Sequence, residues 1–131
     1  MISLDTNVVV RILTRDDPRQ AEKARDLVRR AERLWLAKTV LLETEWVLRY
    51  CYDLSREVIL LAFWKLLGYR PLEVEDLGAV RQALEWYVAG FDFADALHLA
   101  SSPEGGGFAT FDRTLAKVAR RLEERLPVEL L

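Results

Sequence analysis

The sequence predicts an α/β fold built on a central, mostly parallel sheet, and three observations lead there. Short apolar runs alternate with longer amphipathic ones, the pattern of strands joined by helical crossovers. Two of the short runs end in an aspartate that opens the next helix, Asp5 and Asp112. That is the edge where open α/β sheets place their ligand sites. Finally, 131 residues suit one domain, spanning 1–131, and the chain shows no repeat, linker or low-complexity segment.

Ile2 and Leu4 read as a short buried strand that stops at Asp5. A first helix runs from Asn7 to about Thr14, broken by Asp16-Asp17-Pro18. Asp17 as N-cap, Pro18 at the first helical position and Gln20 at the third open a second helix. It extends to about Arg33, with an apolar stripe of Ala21, Ala24, Leu27, Val28 and Ala31 and a basic face of Arg19, Lys23, Arg29, Arg30 and Arg33. Leu34 to Ala37 is a second strand. Thr39 is positioned to cap a helix from Val40 to about Tyr52, and Ser55 to cap another from Arg56 to Leu67 that stops at Gly68. Pro71 to Val74 reads as an edge strand, and a helix follows to about Ala89, ended by Gly90. Asp92 opens a short helix to Ala100. A loop with three successive glycines leads to a strand over Phe108–Asp112, a helix from Arg113 to Leu126 and a last strand from Val128.

A net charge of −2 supplies no general basic field, so nucleic-acid binding would need a local patch or bound cations. Cys51 is the single cysteine, expected as small core filler. No secretory signal opens the chain, and its longest apolar run is too short to span a bilayer. A cytoplasmic protein without membrane contact is expected.

The informative residues are four acids. Asp5 and Asp112 end apolar strands with matching patterns, Ile-Ser-Leu-Asp and Ala-Thr-Phe-Asp. Strands running parallel in the centre of one sheet would bring both carboxylates to the same edge. Glu43 has Trp46, Val47 and Tyr50 as helical neighbours and no basic residue at i+3 or i+4. It is therefore expected near the core, in need of another cation. Glu45 is the contrast, because Arg49 at i+4 gives it an ordinary ion pair. Asp95 stands three residues after Asp92, which already suffices as the N-cap. Carboxylates that converge repel by about 4 kcal/mol at ~4 Å and an effective dielectric near ~20, unless a cation offsets the charge. Oxygen donors without a His or Cys cluster favour Mg²⁺ or Mn²⁺ over zinc. The single His98 reads as a helix residue. Acid-held divalent cations serve phosphoryl chemistry, with an activated water attacking a phosphodiester. No P-loop, dinucleotide fingerprint or nucleophile elbow competes with this reading.

Leu4-Asp5-Thr6-Asn7, Glu43-Thr44-Glu45-Trp46-Val47-Leu48, Asp92-Phe93-Ala94-Asp95-Ala96-Leu97 and Thr110-Phe111-Asp112 resemble, in order, the motifs of PIN-domain ribonucleases, and within them the VapC toxins of type II toxin–antitoxin systems. The resemblance spans nearly the whole chain. It implies a PIN-like α/β/α sandwich with a mostly parallel sheet. It also implies that Asp5, Glu43, Asp95 and Asp112 form the catalytic quartet that binds Mg²⁺ or Mn²⁺, with Asp92 as an additional acid. Thr6 and Asn7 match positions that steady the first aspartate, and Thr110 matches a hydroxyl beside the last. The implied activity is hydrolysis of RNA, and the implied partners are a second copy in a homodimer and a VapB-like antitoxin.

The helix Arg56–Leu67 is apolar on more sides than one core requires, so the helices carrying Trp46 and Trp64 are expected at a dimer or antitoxin interface. Arg11, Lys38, Arg113 and Lys117 are candidate RNA contacts. Three other readings compete: a metal-dependent DNA nuclease, a non-catalytic PIN-fold binding protein, and a phosphoacceptor signalling domain. The last is disfavoured, because Thr6 and Asn7 follow Asp5 where such domains carry adjacent acids, and the late strands carry no lysine.

Overall fold

The structure, a computed structural model, describes residues 1–122 and 127–131. Its elements are β1 (Ile2–Ser3), α1 (Thr6–Thr14), α2 (Pro18–Arg30), β2 (Leu34–Leu36), α3 (Lys38–Tyr50), α4 (Arg56–Leu67), β3 (Leu72–Val74), α5 (Leu77–Val88), α6 (Phe93–Ala100), β4 (Phe108–Thr110), α7 (Arg113–Ala119) and β5 (Val128–Leu130). Strands and helices alternate as expected, and every strand pairing among the described residues is parallel. The chain divides into two compact units, residues 1–77 and 78–131.

In the first unit the strand order is β1-β2-β3, with Ile2 opposite Leu34 and Leu34 opposite Leu72. The ladder runs up to the start of α1, because the Leu4 amide donates to the Trp35 carbonyl at 3.0 Å. Ile2 lies 40% exposed on this outer strand, and only Leu4 is buried, so the expected buried strand is buried at its end alone. Asp17 accepts from the Gln20 amide at 3.1 Å and Pro18 takes the first helical turn, as anticipated for α2. That helix stops at Arg30, short of Arg33, because the Arg33 carbonyl already accepts from the Ile2 amide in the strand ladder. α1 packs on both α2 and α3.

α3 departs from expectation at its start. Ala37 is its N-cap, so Thr39 already lies inside the helix. The Lys38 amide instead donates to the Glu75 carboxylate at 2.8 Å, a cap delivered from just beyond β3. The buried face of α3 is Leu41, Thr44, Glu45 and Leu48, spaced i, i+3, i+4 and i+7. Cys51 follows as the C-cap and is exposed, so it does not fill the core. α4 spans Arg56–Leu67 as expected, with the Ser55 hydroxyl accepting from the Val58 amide at 3.2 Å and Gly68 at its end.

In the second unit β4 pairs with β5, Phe108 opposite Val128 and Thr110 opposite Leu130. Each unit thus carries its own parallel strands among the described residues. Tyr87 of α5 and Phe93 of α6 are buried and meet edge to face, ring centres 5.4 Å apart. Gly90, with φ +110°, turns the chain between those helices in a conformation that side chains disfavour. α7 is helical over Arg113–Ala119, and the last part of the longer helix expected there, residues 123–126, lies outside the described residues.

Candidate functional site

Parallel pairing places an acid at the carboxyl end of a strand twice. In the first unit, β1 leads through Leu4 into Asp5, the N-cap residue of α1. Its backbone carbonyl accepts from the Val8 and Val9 amides, yet its side chain makes no cap hydrogen bond. Three other aspartates at helix starts do cap: Asp17 on Gln20, Asp92 on Asp95 and Asp112 on Leu115. Asp5 is exposed, so its carboxylate is presented to solvent.

Thr6 is buried and donates its hydroxyl proton to Oε1 of Glu43. This bond couples the first motif to α3 and aims the Glu43 carboxylate. Glu43 itself is exposed, together with Trp46 and Tyr50 on the same side of α3. The expectation that it lies near the core is therefore corrected: the buried acid of α3 is Glu45, 1% exposed, with its carboxylate gripped by Arg49 at 2.7 and 3.1 Å. The helical phase explains this, since Glu43 lies off the Leu41–Leu48 face and Glu45 lies on it. Asn7 is exposed in the first turn of α1.

In the second unit Asp92 opens α6 by accepting from the Asp95 amide at 3.2 Å, the capping role its position suggested. Asp95 is half-buried in the first turn of α6. Its carboxyl is held above the ordinary aspartate range, first by burial and then by repulsion from Asp92 and from Asp112, with His98 pulling the other way. Asp112 follows β4, opens α7 through the Leu115 amide at 3.0 Å, and is exposed. The Thr110 hydroxyl accepts from the Asp112 amide at 2.9 Å, which fixes the backbone on which that acid is carried.

Chemically these donors suit a hard divalent cation. They are carboxylate oxygens, and in the second unit Asp92 and Asp112 each oppose the charge on Asp95, a cost that a bound cation offsets. Among the described residues, however, no three His, Cys, Asp or Glu side chains are close enough to form a ready-made cage.

A family model for the PIN domain matches residues 2–121. The chain belongs to the PIN domain family. The α/β fold with parallel strands agrees with that membership. No curated protein sequence matches the chain. Among solved structures, this PIN domain is similar to the crystal structure of VapC20 from Mycobacterium tuberculosis, described as a Sarcin-Ricin loop cleaving toxin. The match has 23% identity and a TM-score of 0.44, and it covers 76% of this chain and 79% of that one.

The four basic residues singled out from the sequence of this PIN domain divide evenly. Arg11 donates to Gln20 at 2.6 Å, to the Tyr52 hydroxyl at 2.9 Å and to Asp16 at 3.3 Å. Lys38 pairs with Asp76 at 3.1 Å. Arg113 and Lys117 of α7 are exposed, without an ion pair among the described residues. The network around Arg11 had no signal in the sequence, since Tyr52 lies 41 residues away. There Asp16 is held below the ordinary carboxylate range, chiefly by the Tyr52 hydroxyl.

Proposed function

We propose that this PIN domain, residues 1–131 acting as one catalytic domain, is a Mg²⁺- or Mn²⁺-dependent endoribonuclease of the VapC toxin type. The observation that carries the reading is Asp5. It sits at the carboxyl end of a parallel strand, occupies a helix-capping position, and leaves its carboxylate out of the cap. Family membership and the ordered acidic motifs support the same conclusion. Asp5, Glu43, Asp95 and Asp112 would hold the cation, with Asp92 adding negative charge beside Asp95 and Asp112.

When bound, such a cation supplies Lewis acidity, acidifying a water for attack on phosphorus and offsetting charge on the phosphodiester. The chain's own residues then orient and hold. Thr6 keeps the Glu43 carboxylate turned toward the start of α1. The Thr110 hydroxyl holds the Asp112 amide, and β4–β5 pairing anchors that strand end through the Leu131 amide on the Thr110 carbonyl at 2.9 Å. No protein nucleophile is required. The reading extends to a cytoplasmic location, a homodimer and a VapB-like antitoxin as partner. No described helix is long and apolar enough to cross a membrane.

The test is cleavage of single-stranded RNA and matched DNA oligonucleotides by purified protein with Mg²⁺, with Mn²⁺ and with EDTA. We expect metal-dependent cutting of RNA, lowered at least about a hundredfold in Asp5→Asn, because even outer partners of metal ligands are worth roughly 10- to 100-fold. Cutting of DNA in preference to RNA would establish the alternative nuclease. Folded protein that binds Mn²⁺ and cuts nothing would leave a binding role.

A further inference from the structure

A groove of about 370 Å³ lies between α1 and α2, inside the first unit. Asn7, Val8 and Arg11 form one wall, and Lys23, Leu27 and Arg30 form the other. Three cations line it and no acid does. We propose that this groove is a track for the phosphates of single-stranded RNA, leading away from the Asp5 end of α1. The proposal rests on the ribonuclease reading and assigns the substrate path for that site.

Charge sorting on α2 supports the assignment. Its acids are neutralised on one side of the helix, Glu22 by Arg25 and Arg29 at 3.8 and 3.0 Å, and Asp26 by Arg29 at 2.8 Å. Arg33, just beyond the helix, is likewise taken up by Glu73 at 2.8 Å. Lys23 and Arg30 form no ion pair among the described residues. They stand i and i+7 on the groove side, about 10.5 Å apart along the axis, with Leu27 between them. The third cation, Arg11, is held by Gln20 and Tyr52 and paired with Asp16 at 3.3 Å, so the unpaired positive charge of the groove is that of Lys23 and Arg30.

Position completes the case. Asn7 lines the groove and follows Asp5 by two residues, so a strand bound at Asp5 meets the groove at once. The apolar part of the lining is aliphatic, Val8, Ala24 and Leu27, with no aromatic ring on which a base could stack. The track therefore grips backbone charge and does not read sequence.

The experiment measures binding of a fluorescent oligouridylate to protein carrying Asp5→Asn, with Mg²⁺ present, across a salt series. Lys23→Ala/Arg30→Ala is compared with Arg25→Ala/Arg29→Ala, which removes the same charge from the opposite side of α2. The groove pair should weaken binding roughly tenfold and flatten the dependence of log affinity on log salt by about 1.4, two contacts at ~0.7 each for a single strand. The control pair should leave that slope unchanged. Equal effects from both pairs, or none from either, overturn the groove alone while leaving RNA binding intact. RNA affinity that survives in the groove pair, alongside lost binding of an oligoglutamate peptide, makes the groove a protein-docking site and also overturns the proposal. Absence of RNA binding before any groove substitution removes the ribonuclease reading and the track together.

Discussion

Asp95 carries a charge that its surroundings oppose. Burial and the nearby Asp92 and Asp112 raise its proton affinity, and only His98 works against them. A carboxyl with a raised folded-state pKa binds more protons folded than unfolded, so stability falls as pH climbs from the ordinary aspartate range through the raised value. Metal-free Asp95→Asn should therefore melt above the wild type near pH ~7, with the gap closing below the ordinary aspartate range, at about pH 3. Thermal scans in EDTA at both pH values check this. Adding Mg²⁺ should raise the melting point of the wild type by more than that of Asp95→Asn, by about 10 °C for about 2.7 kcal/mol of linkage at roughly 100 times the dissociation constant. Thr6 makes a second prediction. Thr6→Val keeps the buried shape but removes the hydroxyl that Glu43 accepts from. Metal-dependent cleavage should drop about 10- to 100-fold while the circular dichroism spectrum is retained. A variant as active as the wild type would show that Glu43 needs no such support.

Helix starts show how far local sequence reaches. Asp17, Ser55, Asp92 and Asp112 cap as their spacing suggests, because a cap bond spans only three residues. α3 fails that rule. Its first amide is satisfied by Glu75, 37 residues away, so Thr39 sits one step inside the helix it seemed to begin. Glu75→Ala should cost about 1 kcal/mol, read as a shift in urea midpoint, whereas Thr39→Ala should cost much less. The same helix shows why sequence alone misplaces Glu43. Neighbour identities along α3 make both of its sides look apolar, with Trp46 and Tyr50 on one and Leu41 and Leu48 on the other. Only packing decides which side is inside.

At the scale of the whole molecule, the exposed apolar surface of the first unit is unusual. Trp46 and Tyr50 of α3 stand 52% and 62% exposed, their rings 5.4 Å apart. Val58, Leu61 and Trp64 of α4 are exposed as well. Such a surface suits the proposed homodimer or antitoxin contact. Trp64→Asp should weaken self-association roughly thirtyfold by sedimentation, as expected for an interface tryptophan worth ~2 kcal/mol. An unchanged dimer would exclude this face as the dimer interface.

The amino-acid sequence by itself determined the order and type of the elements, the helix caps closed by near neighbours, and the strand-end positions of Asp5 and Asp112. All of these rest on periodicity and on contacts a few residues apart. Tertiary structure decided the rest: that Glu45 and not Glu43 is the buried acid, that Glu75 caps α3, that Arg11 is held by Tyr52 and Asp16, and that β4 pairs with β5. The physical reason is common to all four. Burial, distant capping and strand partnership are set by residues far apart in the chain, which no local pattern specifies.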